Sequence, residues 1–391
     1  MPPDMGISGE FDHDLLDDPR RLEATDTGGL LRAAATAGAQ VRSTTAAAAE
    51  ADLAQLRGDR PRALVLLTRP GAAPAAAPLL LALLGPSCPV PVVTTRSVPM
   101  WVGALDVVLA NTTDPGDREL AEGIDRAIRR GAQVVLTAPA DGPVAAAAAG
   151  QAVLLVPRME VPPALTLPRG LTAGLLVLDT LKLLKTDTEV LAGELDREAE
   201  RNYVAHESLV NPAKALALRL QSRTPLLWGT DPVATAVAGH CAGALAAHAG
   251  VVAHAAGFPE AAALPVLRQE ASRAGSEAEF FHDPFEESFG DQSGRMPAMR
   301  PVLLGVPAPY AAARYQAERA AALEALPGAD LVTVDEELMV RHDDPGAATY
   351  AAAVLALRFD FAALYLGLGR GLLGGPGWVS STGAFGPRMN D

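Results

Sequence analysis

Residues 107–136 read VVLANTTDPGDRELAEGIDRAIRRGAQVVL, and their pattern decides the fold. DVVLAN at 106–111 is a short apolar run that predicts a buried strand. After it, Leu120, Ile124, Ala127 and Ile128 recur at helical spacing, and Gly131 is a helix stop. AQVVLTA at 132–138 predicts the next strand. Buried strands joined through a helix are the repeating unit of a parallel sheet. The loop Asn111-Thr112-Thr113-Asp114-Pro115-Gly116-Asp117 opens the helix, where backbone N–H groups and the helix dipole favour an anion. Asn111, Thr112 and Thr113 offer amide and hydroxyl groups there. Pro115 suits a first helical turn, and Gly116 admits close approach to the backbone. The loop has two aspartates and no lysine, however, and Asp114 or Asp117 can cap the helix in the anion's place. The residues alone leave a phosphate site and a capped, empty helix start equally open.

The same alternation extends outward. Leu15, Leu16, Leu22, Leu30 and Leu31, followed by TAAAAEADLAQLR, predict a helical flank over 1–60. RALVLLTRP, VPVVTT at 90–95 and AVLLVP at 152–157 complete a first doubly wound domain over 61–190. TEVLAGELDREAERNYVAH predicts a charged helix that bridges to a second domain, with a linker at 191–210. The pattern restarts over 211–391: TPLLWGTD at 224–231, an Ala-rich helix, MRPVLLGVP at 299–307, a further helix and DLVTVDE, and then a long apolar helix over 347–373. Residues 270–299 are acidic and Gly/Ser-rich with Phe280, Phe281, Phe285 and Phe289 interspersed, and they predict an insertion loop. The expectation is an α/β chain of two tandem units.

Bulk properties bound the function. A net charge of −14 argues against nucleic acid as a partner. The apolar runs are interrupted by Pro or charge short of a membrane span, and the acidic N-terminus lacks the apolar core of a signal peptide, so a cytoplasmic protein with no membrane partner is expected. Cys88 and Cys241 lack metal spacing and are expected to be reduced thiols. His240, His248 and His254 invite a metal reading. Eight residues separate the first two, beyond joint reach on one helix, and no carboxylate falls at i+3 or i+4 from either, so no metal and no cofactor are expected.

The order of these segments resembles the two-domain sugar isomerase (SIS) proteins, specifically the bifunctional phosphoglucose/phosphomannose isomerases. VPMWVGALDVVLANTTDPGDRELAEGIDRAIRRGAQVV is similar to the family segment that carries SYSGNTEET. LPRG at 167–170 resembles its P-R motif, and NPAKALALRLQSRTPLLWGTD resembles the start of its second domain. LRFDFAALYLGLGRGLLG resembles its terminal helix. The resemblance implies two flavodoxin-like, doubly wound SIS domains with helical flanks, a sugar-phosphate ligand and a homodimer. It also implies that Gly71, Asn111, Thr112, Thr113 and Arg169 bind the sugar phosphate. The chemical residues depart from the family. TRPGAAPAAA at 68–77 stands for GMGGSAIGGD, keeps Gly71 and puts Ala72 where the serine falls. The catalytic glutamate's position becomes Ala247, or Ala246 with a one-residue shift, and the histidine's falls near Ala263. Aldose–ketose isomerisation moves a proton between two carbons, and losing such a group costs about 10²–10⁴ in rate. His248, beside the lost glutamate, is the one candidate replacement, with Arg169 the other candidate catalytic residue. A polar residue on an Ala-rich helix is the more ordinary explanation of His248. The implied function is a sugar-phosphate-binding protein with weak or lost isomerase activity. The alternative is a non-catalytic pseudoenzyme that serves as a scaffold or regulatory partner.

Overall fold

The computed structural model describes residues 11–58, 60–70, 73–277, 298–307, 312–334, 336–339 and 344–373. Contacts divide them into two units: 28–199 form one, and 11–27 with 200–373 form the other. The short helices α1 (His13–Leu16) and α2 (Pro19–Thr25) therefore belong with the C-terminal unit.

The unit of residues 28–199 begins with α3 (Leu30–Ala35) and α4 (Ala37–Glu50). It continues through β1 (Ala63–Leu67), α5 (Ala76–Leu84), β2 (Val92–Thr95), β3 (Asp106–Asn111), α6 (Arg118–Arg129), β4 (Gln133–Thr137), α7 (Gly142–Ala148) and β5 (Val153–Leu155). Helices α8 (Leu167–Thr180) and α9 (Thr188–Arg201) follow, and the change of unit falls at the end of α9. The five strands pair in parallel in the order β2-β1-β3-β4-β5. Helix α6 forms as its spacing requires: Leu120, Ile124 and Ala127 are buried against Val65, Val108, Val134 and Leu136 of the sheet. Gly131, at φ 81°, ends it in a conformation that costs glycine little. Arg42 of α4 ties α9 down through Glu189 (3.0 Å) and Asp196 (2.7 Å).

The C-terminal unit runs α10 (Pro212–Leu220), β6 (Thr224–Gly229), α11 (Pro232–Ala249), β7 (His254–Gly257), α12 (Phe258–Ala262), α13 (Pro265–Glu277), β8 (Met299–Leu304), α14 (Ala312–Ala325), β9 (Asp330–Val332) and α15 (Ala347–Gly369). Its parallel sheet has the order β7-β6-β8-β9. The core sets Leu226, Trp228 and Leu303 against Ala261, Ala271 and Ala322 of the helices and Leu326 just past α14. The expected two doubly wound α/β units are present.

Two expectations change. Residues 270–277 are helix, not loop, because Ala271 of α13 is buried in the core while Glu270 pairs with Arg273 on the outside. Their Gly/Ser content hid that helix. The rest of the expected insertion, 278–297, lies outside the described residues. The long apolar helix stops at Gly369 and is buried along its whole length, packed on α10 and α11 of its own unit. It has the length and apolarity of a membrane span, yet its cover comes from the chain itself and places no demand on a partner subunit.

The start of α10 holds a buried cation. Asn211 caps the helix, accepting from the N–H groups of Ala213 and Lys214 (3.1 and 3.0 Å). The Lys214 ammonium donates to the carbonyls of Val204 (2.8 Å) and His206 (2.6 Å) and lies 5.4 Å from the Tyr365 ring centroid. Burial lowers its pKa to about 8, and Asp17 offsets this only partly. The unfolded chain keeps this proton to about pH 10.4, so between the two values folding is favoured as pH rises. Wild type is therefore expected to gain stability relative to Lys214→Met above pH 8, by up to about 1 kcal/mol per pH unit after solvent screening. Paired urea melts at pH 7 to 10 measure it, and a pH-independent difference would show that Lys214 titrates normally.

Candidate functional site

In the sheet of residues 28–199 the chain runs outward in one direction from β1 to β2 and in the other through β3 to β5. The loops after β1 and β3 diverge, which opens a crevice at the strands' carboxyl ends. Asn111 ends β3, Thr137 ends β4, and the two are register partners. The first turn of α8 comes in opposite them with Thr166, Arg169 and Gly170. Together with Ala73, Thr112 and Thr113 these residues line a shallow recess that is open to solvent. Gly170 permits the approach: a Cβ there would lie 2.7 Å from that of Ala73 and 3.7 Å from Asn111 Cγ. No side chain caps α8, since the Thr166 hydroxyl donates to the Pro163 carbonyl instead.

The electrostatics of this recess are unbalanced. Arg169 is 8% exposed, and its guanidinium donates to the Met159 carbonyl (2.7 Å) with no carboxylate of the described residues within ion-pair distance. Burial lowers its pKa with nothing to offset the effect. Asn111 Oδ1 and Thr137 Oγ1 are buried without any hydrogen-bond partner. Buried polar groups are nearly always paired, so three under-satisfied groups in one recess depart from the ordinary pattern. Arg169 is the only titratable side chain on the lining among the described residues, and a guanidinium does not exchange protons near neutral pH.

The loop after β3 resolves the ambiguity left by the sequence. Asp117 caps α6, accepting from the Leu120 N–H (3.0 Å). Arg69, from the loop after β1, grips that carboxylate with two hydrogen bonds of 2.7 and 2.8 Å and reaches Glu119 at 3.1 Å. Within the loop, Thr112 Oγ1 accepts from the Asp114 N–H (3.0 Å), and Asp114 accepts from the Gly116 N–H (2.8 Å). A carboxylate of the chain itself thus fills the N-terminus of α6. The unpaired positive charge sits across the crevice at Arg169. Asp117→Ala removes a helix cap and leaves the poorly exposed Arg69 with only Glu119 as an ionic partner, so a loss of about 2 kcal/mol is expected. Chemical denaturation measures it, and a loss below about 1 kcal/mol would show that the clasp is not structural.

Of the residues singled out in the sequence, Asn111, Thr112, Thr113 and Arg169 converge on the recess. Gly71 and Ala72 lie outside the described residues. His248 is on α11 in the C-terminal unit, 6% exposed, with Nε2 unpartnered and its pKa lowered by burial. Ala246, Ala247 and Ala263 are exposed. His240 bonds Asp360 (2.8 Å), and His254 Nδ1 accepts from the Trp228 indole (3.1 Å). Among the described residues no three His, Cys, Asp or Glu side chains come together as a metal site. Sequence reasoning missed Thr137, Thr166 and Gly170. The strand-end position of Thr137, opposite Asn111, was the available signal.

Residues 209–373 match the family model for the bacterial phospho-glucose isomerase C-terminal SIS domain. No curated protein matches the chain by sequence. Among solved structures, the fold is similar to a Bacillus subtilis protein assigned to the phosphosugar isomerases, at 17% identity and TM-score 0.54, covering 86% of this chain and 95% of that one. It is also similar to a Thermus thermophilus protein of no assigned function, at 14% identity and TM-score 0.61, covering 91% and 89%. The C-terminal domain of glucosamine-fructose-6-phosphate aminotransferase from Francisella tularensis aligns at 11% identity and TM-score 0.55, covering 88% and 96%. At these identities the structures speak to the fold alone, and the sequence match likens residues 209–373 to an SIS domain.

Proposed function

We propose that the chain binds a sugar phosphate in the recess at the ends of β3 and β4, with Arg169 facing the phosphate, and that it isomerises the ligand weakly or not at all. The observation that carries the reading is the buried Arg169 guanidinium, beside which no anion stands among the described residues. Thr113 lines the same recess and supplies a hydroxyl. The absence of an acid or base among the described lining residues favours binding without efficient proton transfer. Calorimetric titration with glucose 6-phosphate, fructose 6-phosphate and mannose 6-phosphate tests the binding, and a coupled isomerase assay tests the chemistry. No heat at millimolar ligand would sink the first, and turnover above about 1 s⁻¹, within the ordinary enzyme range, would sink the second.

The scaffold reading has one observation in its favour. Met100, Trp101 and Leu105 are exposed side by side before β3, with Arg130 bonded to the Met100 carbonyl. Exposed apolar clusters with an aromatic anchor are typical of contact surfaces. If this one serves a partner, Trp101→Ala releases that partner in a native pull-down. A cytoplasmic homodimer is the proposed setting, and sedimentation velocity reads the oligomeric state.

A further inference from the structure

Trp101 stands on a braced loop at the amino ends of the strands, away from the recess at their carboxyl ends. Val98 and Val102 on either side of it are buried in the core of their unit. The Trp101 carbonyl accepts from Arg62 (3.1 Å) and the Met100 carbonyl from Arg130, while the Gly103 N–H donates to Asp106 (2.9 Å). The Arg62 guanidinium, paired with Asp106, lies 5.7 Å from the centre of the Trp101 ring. The indole is still 47% exposed, and Met100 and Leu105 are more so. Helix α6 ends beside this loop with Arg126, Arg129 and Arg130. Arg129 pairs with Asp125. Arg126 and Arg130 have no carboxylate within ion-pair distance among the described residues, and they turn to the Met100 sulfur (3.7 Å) and carbonyl. The end of a helix tolerates such cations, but that does not account for the bare apolar side chains next to them. On a chain of net charge −14 these two arginines make the patch locally positive. A second copy of the same face in a twofold contact would set arginine against arginine, so self-pairing is disfavoured.

From this we infer that the 99–105 loop and the end of α6 dock an acidic protein segment that carries a large apolar side chain. The apolar group packs on Trp101, Met100 and Leu105 while carboxylates beside it pair with Arg126 and Arg130. The inference rests on the scaffold reading above and names the kind of partner it requires. The loop is held in place before binding, so little ordering opposes the contact. The surface is small, and binding is weak and weakens further with salt.

The test is fluorescence anisotropy of the full chain with a labelled peptide, GEEFEEFEEG, and two controls in which Ala replaces each Phe or Gln replaces each Glu. The acidic aromatic peptide is expected to bind about 10-fold more tightly than either control. Trp101→Ala should remove most of the advantage over the Ala control, and Arg126→Gln with Arg130→Gln most of the advantage over the Gln control. Leu105→Ser, at an exposed side chain, serves if Trp101→Ala folds poorly. Absence of binding overturns the inference, and so does equal binding of all three peptides or an affinity that none of these substitutions changes. If the peptide fails while Trp101→Ala still releases a native partner, the scaffold reading stands with a partner of other chemistry. If both fail, both readings fall.

Discussion

Arg169→Met is expected to raise the melting temperature of the ligand-free protein and to remove most of its response to sugar phosphates. The guanidinium is buried beside a single carbonyl, so the free protein carries the desolvation of a charge without an ionic partner. Methionine fills similar space without that cost, and a gain of about 1 kcal/mol, or roughly 2–4 °C, is expected. The ligand-bound protein loses its charge-assisted hydrogen bonds to phosphate, which corresponds to about 10–100-fold in affinity. Thermal melts with and without glucose 6-phosphate show both effects at once. Lower stability together with an undiminished ligand shift would assign Arg169 a purely structural role.

The largest loss of stability is expected from His240→Leu. His240 of α11 bonds Asp360 of α15 at 2.8 Å, with both side chains nearly inaccessible. Burial by itself would lower the imidazole pKa, but the Asp360 charge and hydrogen bond outweigh it and raise it. Without the histidine, a carboxylate is left in an apolar interface and a loss of about 3–5 kcal/mol follows. His240→Leu with Asp360→Val should recover much of that loss, because no buried charge remains. A single variant as stable as wild type would show the pair to be hydrated. The raised pKa also sets a direction with pH: the contribution is complete below about 6.5 and fades as pH rises through the folded-state value. His248, further along the same helix, is shifted the other way by burial and loses its contribution as pH falls.

Much of the architecture was legible because it is local. Leu120, Ile124 and Ala127 state a helix face within eight residues, and Gly131 states its end. Apolar strands of four to six residues between such helices leave a parallel sheet as their consistent packing. Local reasoning failed at α13, where a buried alanine lies among Ser and Gly, and at the end of α15, which the apolar run places at 373 and which falls at Gly369.

By itself the sequence determined most of the strands and helices, their parallel arrangement and Asn111 as a strand end, since each depends on neighbours a few residues away, and it left Asp114 and Asp117 as alternative caps of the next helix. Which of two helix starts carries the unpaired charge was decided by tertiary structure alone. Arg69 comes from 48 residues before Asp117 to neutralise one end, while α8 brings Arg169 to the ends of β3 and β4 with no carboxylate among the described residues to meet it. A charge is paired or unpaired only by what stands within a few ångströms of it in space, and spacing along the chain does not record that distance.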